Sequence, residues 1–97
     1  MQKAYLNLIK YALANNATVS VWNGEEWSTK RGTSYNAIKD DIESVEECTL
    51  RFRDAETKDL LGSAYIVLDG EPDEMVADHS DTELLNTWWD LYHNKNN

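Results

Sequence analysis

Three stretches of the chain place apolar residues at helical spacing, which predicts three amphipathic helices. The first runs over about residues 2–14, and the second begins with Thr33 or Ser34 as its N-cap. The third begins at a predicted capping box between Ser80 and Glu83. The apolar positions of the three helices are Tyr5, Leu8, Ile9, Ala12 and Leu13; Tyr35, Ile38, Ile42 and Val45; and Leu84, Leu85, Trp88, Trp89, Leu91 and Tyr92.

Alternation of apolar and polar residues predicts strands between these helices. The clearest case is residues 48–53, where Cys48, Leu50 and Phe52 face one side and polar residues face the other. Residues 63–68 form the second arm of a predicted hairpin, with apolar residues on both faces that indicate a central position in the sheet.

Another hairpin is predicted around Asn23 and Gly24, which follow a β-rich segment ending at Trp22. A two-residue turn pairs Trp22 with Glu25, whereas a four-residue loop pairs it with Trp27. We favour the second register, because a cross-strand aromatic pair contributes about 0.5–1 kcal/mol. That register also leaves both glutamates at the solvated tip.

The elements together predict one small α+β domain over residues 1–97, in the order α-ββ-α-ββ-α. Short connections favour a four-stranded, mainly antiparallel sheet with helices packed on it. Residues 69–80 are expected to form an acidic loop that contains the only proline, Pro72.

The charge is strongly negative and unevenly distributed. Eighteen acidic and nine basic side chains give a net charge of −9, and residues 59–94 hold nine acids without Lys or Arg. This balance argues against a protein that grips nucleic acid by its phosphates. No apolar run reaches the roughly 18 residues of a membrane helix. Cys48 is the only cysteine, which fits a reducing cytoplasm, and no signal peptide is evident.

The acidic side chains are the main candidates for a binding surface. Carboxylates one helical turn apart lie about 5–6 Å from each other, a spacing similar to that of successive phosphates. A surface of this kind fits a basic groove built for DNA or RNA. The candidate partner-binding residues are Glu25, Glu26, Asp40, Glu43 and Glu47 in the first half, and Asp69, Glu71, Asp73, Glu74 and Asp78 in the loop.

The aromatic residues of the last helix are a second candidate. Trp88 is expected in the core, whereas Trp89 is rotated by about 100° around the helix and can anchor a partner together with Tyr92. Under this alternative the chain is a small accessory or assembly protein that binds another protein through the aromatic patch.

Catalytic and metal-binding patterns are weak. Asp78, His79 and Asp81 lack the ligand spacing of a zinc site, and the 69–74 loop lacks the register of a calcium loop. We therefore expect no catalytic residue, no metal and no cofactor. A cation-dependent hydrolase or sensor would require specific metal binding in residues 69–81. Arg51 and Arg53 are expected to pair with neighbouring acids.

In size, net charge and acid clusters the chain resembles the small acidic proteins that bacteriophages use against host defences. The clusters are Glu25-Glu26, Asp40-Asp41 and Glu46-Glu47. That class includes anti-CRISPR proteins and DNA-mimic inhibitors. The resemblance is one of class and rests on no signature motif. It implies a non-enzymatic inhibitor in the bacterial cytoplasm that blocks the basic channel of a host nucleic-acid-binding complex. It implies neither direct nucleic-acid binding nor a membrane.

Overall fold

A computed structural model describes residues 3–95, which form an α+β fold of three helices and five strands. The elements are α1 (Ala4–Ala14), β1 (Ala17–Trp22), β2 (Trp27–Gly32), α2 (Tyr35–Glu43), β3 (Glu47–Asp54), β4 (Leu60–Val67), a 3-10 turn (Pro72–Glu74), β5 (Val76–His79) and α3 (Glu83–Lys95). Residue 2, the expected start of the first helix, lies outside the described residues.

The strands form one antiparallel sheet in the order β2-β1-β3-β4-β5. The expected hairpins β1-β2 and β3-β4 are both present. The prediction of four strands was wrong, because Val76–His79, which we expected to be loop, pairs with β4 as an edge strand. Two consecutive residues of this strand, Ala77 and Asp78, are exposed, so its sequence lacks the apolar alternation of the inner strands.

The core lies between one face of the sheet and the three helices. Val19, Leu50, Phe52 and Ile66 point from the inner strands into a single cluster of buried residues that includes Trp88 of α3. The polar positions of the same strands point to the opposite face, where Arg51 and Tyr65 are exposed to solvent. We call this second surface the open face.

The β1-β2 hairpin has the register favoured from the sequence. Trp22 is paired with Trp27, and the two rings meet edge to face with centroids 5.2 Å apart. The Asn23 Oδ1 atom accepts hydrogen bonds from the amides of Glu25 and Glu26, each at 2.9 Å, which fixes the loop.

The two predicted helix caps have different outcomes. Ser34, one of the two residues expected to cap α2, accepts a hydrogen bond from the Ala37 amide. The capping box at Ser80 was wrong, because α3 begins only at Glu83. The Ser80 hydroxyl instead accepts the Ser63 amide at 2.9 Å and so links the end of β5 to β4.

Candidate functional site

Three acidic segments meet at one end of the sheet. The register pairs Trp22 with Thr49 and Glu47 with Val67, so the β1-β2 loop, the start of β3 and the β4-β5 connection share this end. These segments contain no Lys or Arg. We call their carboxylates the acidic end; its residues are Glu25, Glu26, Glu46, Glu47, Asp69, Glu71, Asp73 and Glu74.

The charges of the acidic end face solvent. All eight residues are exposed. The one ion pair found among residues 3–95 joins Lys39 to Glu43 and lies outside this group. The negative charge of the acidic end is therefore not neutralised within the part of the chain that is described.

Backbone hydrogen bonds hold these segments in place. The Leu68 amide donates to the Glu46 carbonyl at 2.9 Å, and the Val67 amide donates to the Met75 carbonyl at 2.8 Å. The 3-10 turn closes with a bond from the Glu74 amide to the Glu71 carbonyl. The carboxylates thus project from a framework that is fixed relative to the sheet.

The two candidates on α2 have different environments. Asp40 is exposed, whereas Glu43 accepts hydrogen bonds from the Lys39 ammonium at 2.8 Å and from the Tyr5 hydroxyl of α1. The bond from Lys39, and next that from Tyr5, lowers the pKa of Glu43 below its ordinary value. Glu43 therefore links α2 to α1, which the sequence spacing did not indicate.

Asp78 is separate from the acidic end. It lies on β5 opposite Tyr65, and its carboxylate accepts the amide of the next residue, His79, at 2.8 Å. The Tyr65 hydroxyl donates a hydrogen bond to the carboxylate of Glu47, and this bond raises the pKa of Tyr65. The structure thus places Asp78 at the side edge of the sheet rather than with the loop acids.

The expected aromatic patch is not formed as predicted. Tyr92 is buried, with 4 % exposure, and its ring stacks on Trp88 in the core. The prediction that Tyr92 anchors a partner was therefore wrong. Trp89 is 37 % exposed, with its ring centroid 4.0 Å from that of His93. Leu91 is also exposed but lies two positions further, about 200° around the helix. These two exposed side chains do not share a surface.

The groups considered for metal or thiol chemistry have structural surroundings. His79 places Nδ1 2.9 Å from the Ser80 carbonyl, and its ring lies against Trp89. Within residues 3–95, no three His, Cys, Asp or Glu side chains are arranged to hold a metal ion. Cys48 is buried on the core side of β3, and burial raises the pKa of its thiol to about 12.

The open face carries a concentration of positive charge that the sequence analysis missed. A depression of about 310 Å³ on this face is lined by Ser20, Trp27 and five cationic residues. We call these five residues the basic face: Lys30, Arg31, Arg51, Arg53 and Lys58. The ion pairs expected for Arg51 and Arg53 were wrong, since neither is paired with a described carboxylate.

Comparisons with known proteins leave the function to be inferred from these surfaces. Over residues 3–95, no helix is long and apolar enough to cross a membrane. No protein-family model, no curated protein and no solved structure matches the chain significantly.

Proposed function

We propose that this chain is a non-enzymatic binding protein whose acidic end occupies the basic nucleic-acid channel of a partner complex. The biological setting follows the class resemblance described above, which is to phage- or prophage-encoded inhibitors of anti-CRISPR and DNA-mimic type. The partner under this proposal is host machinery for CRISPR surveillance, restriction or repair, reached in the bacterial cytoplasm.

The observation that carries the proposal is the convergence of three acidic segments at one end of the sheet. Eight exposed carboxylates without a described ion pair form a compact negative surface. The three acidic segments lie at the ends of strands that are adjacent in the sheet, and adjacent strands are about 4.8 Å apart. This density of negative charge is of the order found along a nucleic-acid backbone.

Such a surface inhibits by competition and needs no reacting group. A basic channel attracts the acidic end at long range, which raises the rate of encounter. Once bound, the carboxylates pair with cations of the channel that otherwise hold phosphates. The nucleic acid is then excluded from the channel. Because the acidic end is exposed, its attraction weakens as ionic strength rises.

The test is capture of partners from a nuclease-treated bacterial lysate on immobilised protein. Wild type is compared with Glu25→Lys/Glu26→Lys, which changes the net charge from −9 by +4 to −5. The matched control is Glu56→Lys/Asp59→Lys, which makes the same change in the β3-β4 turn at the opposite end of the sheet. Nuclease treatment prevents nucleic acid from bridging the protein to a partner.

The expected result is a nucleic-acid-binding complex that is retained by the control variant, lost by the acidic-end variant and released by added DNA or RNA. High salt should release it as well. Equal capture by both variants contradicts the proposal. A salt-resistant partner without a nucleic-acid site also contradicts it and favours an assembly protein that binds through the remaining exposed aromatic, Trp89.

A further inference from the structure

A bulge in the sheet concentrates cations on the open face. Between Val19 and Val21 of β1 the partner register moves from Gly32 to Thr29, so Lys30 and Arg31 together stand opposite Ser20. In a regular strand two consecutive residues point to opposite faces. This bulge breaks the alternation, and both cations line the same depression.

The bulge places a residue in an unfavourable backbone conformation. Arg31 has φ of 49°, in the left-handed region that non-glycine residues avoid. Lys58, which lines the same depression, has φ of 68°. Strained conformations of this kind persist where the surrounding structure over-determines them, and they are common at ligand sites. Two of the five cations of the basic face are held in this way.

Aromatic rings continue the surface beside the cations. A second depression of about 420 Å³ is lined by Trp22, Trp27, Thr49 and Arg51. Trp27 and Arg51 line both depressions, and the Arg51 guanidinium lies 4.8 Å from the centre of the Trp27 ring. Among residues 3–95, no carboxylate lines either depression. The surface therefore combines positive charge with flat aromatic and guanidinium planes.

We propose that the basic face, together with Trp22 and Trp27, binds single-stranded nucleic acid. The cations hold phosphates, and the ring planes stack with unpaired bases, the combination used by platforms that bind single strands without sequence preference. A duplex hides its base planes in its own stack, so the aromatic rings favour a single strand over a duplex. An acidic peptide offers negative charge but leaves these stacking planes unused.

The net charge of −9 does not exclude this binding, because within residues 3–95 neither depression is lined by an acidic side chain. Glu47 and Arg53 are six residues apart on β3, about 20 Å at the rise of a strand. That distance exceeds two Debye lengths of about 8 Å at physiological ionic strength. A phosphate held at Arg53 is therefore largely screened from Glu47 of the acidic end. The sequence-based expectation of no direct nucleic-acid binding came from the net charge and from the class resemblance, neither of which reflects the local charge of this face.

The test measures fluorescence anisotropy of a dye-labelled oligothymidylate of about eight nucleotides with the isolated chain, without any partner. Lys30→Glu/Lys58→Glu is compared with Lys3→Glu/Lys10→Glu, a control pair on and beside α1. Each pair changes the net charge from −9 by −4 to −13. All four lysines are exposed, so both variants retain the core.

The basic-face variant should bind at least about 25-fold more weakly at 0.1 M salt, since two fewer counterions are released. Its slope of log affinity against log salt should be smaller by about 1.4. The control pair should keep the wild-type slope. Trp27→Ala, checked for folding by circular dichroism, should weaken binding roughly 5- to 150-fold through lost base stacking.

Three results overturn the proposal. The first is equal loss of affinity in both lysine pairs, which assigns the binding to net charge. The second is displacement of the labelled strand by oligoglutamate as readily as by unlabelled oligothymidylate, which assigns the face to acidic peptides. The third is tighter binding of a duplex of the same length. The isolated chain is used throughout, so failure here is distinguishable from failure of the acidic-end proposal.

Discussion

Removal of the Tyr5 hydroxyl tests whether Glu43 stabilises the fold, as its contacts indicate, rather than serving mainly as a binding carboxylate. Tyr5 is 1 % exposed in the core, and its hydroxyl donates to Glu43 on α2. Tyr5→Phe keeps the buried ring and removes only this donor. Glu43 retains its bond from Lys39, so the substitution does not leave a carboxylate without a partner.

The expected loss of unfolding free energy is about 1 kcal/mol. A hydrogen bond to a charged group contributes about 1.5–3 kcal/mol. The carboxylate of Glu43 is largely solvated, so screening and competition from water reduce this value. For a domain of this size, a loss of about 1 kcal/mol lowers the melting temperature by roughly 4–8 °C.

The loss should depend on pH through the ionisation of Glu43. Its hydrogen bonds lower its pKa in the folded state. A lowered pKa contributes stability that is present above the unfolded value of roughly 4.3 and is lost as pH falls through the folded value. The difference between wild type and Tyr5→Phe should therefore be full near pH 7 and smaller in acid, at a pH well below the unfolded value.

Urea unfolding followed by tryptophan fluorescence measures both quantities. Tyr11→Phe is the matched control, because Tyr11 lies on the same helix and its hydroxyl has no hydrogen-bond partner within residues 3–95. That variant should change stability by less than about 0.5 kcal/mol. The reasoning fails if Tyr5→Phe matches Tyr11→Phe at pH 7, or if its loss is the same at both pH values.

Three further substitutions or probes test other parts of the fold. Gly62→Ala should lower the free energy of unfolding in urea by roughly 3 kcal/mol, since φ of Gly62 is +140° and a Cβ there would lie 2.5 Å from the Thr82 hydroxyl. Near-wild-type stability of this variant would contradict the prediction. Cys48 should react with a thiol reagent only after denaturation, because its pKa is about 12 and it is buried; rapid native labelling would refute that. Lys58→Gly should raise stability by about 0.5 kcal/mol and weaken oligothymidylate binding; unchanged binding would remove Lys58 from the basic face.

The helices and three of the five strands could be predicted because their apolar residues repeat at one period, and β2 could be predicted as the return arm of the hairpin at Asn23 and Gly24. The register of the β1-β2 hairpin could be predicted because Trp22 and Trp27 favour pairing across the loop. Strand β5 could not be predicted, since Ala77 and Asp78 are both exposed in an edge strand of four residues. Its pairing with β4 is a tertiary event with little local signal.

The exposure of the acidic candidate residues could be predicted from the sequence, but their arrangement into one surface could not. Their exposure follows from their charge, but their convergence depends on β1 pairing with β3, which brings Trp22 beside Thr49 across a long stretch of chain. No local pattern predicts that pairing. The contact of Glu43 with α1 could not be predicted, because its hydrogen bond to Tyr5 joins residues 38 positions apart.

The basic face was missed for a different reason. Adjacent cations such as Lys30 and Arg31 are expected on opposite faces of a strand, and only the bulge at Ser20 brings them to one depression. Arg51 and Arg53 were correctly placed on one face, but the assumption that nearby acids neutralise them was wrong. In an acidic chain, net charge alone therefore misrepresents the local potential of this surface.

The antiparallel sheet separates the two charged surfaces by geometry. The acidic end lies on the loops at one end of the sheet. The basic face lies on the open face, further along the strands from those loops. Each set of substitutions is therefore a control for the other. Asp73→Lys/Glu74→Lys, also at the acidic end, should weaken partner capture but leave oligothymidylate affinity nearly unchanged, because these two residues lie on the β4-β5 connection and line neither depression. Lys30→Glu/Lys58→Glu should leave partner capture intact. If either double variant abolishes both activities, the two surfaces act as one site, and the functional independence inferred from their separation is wrong.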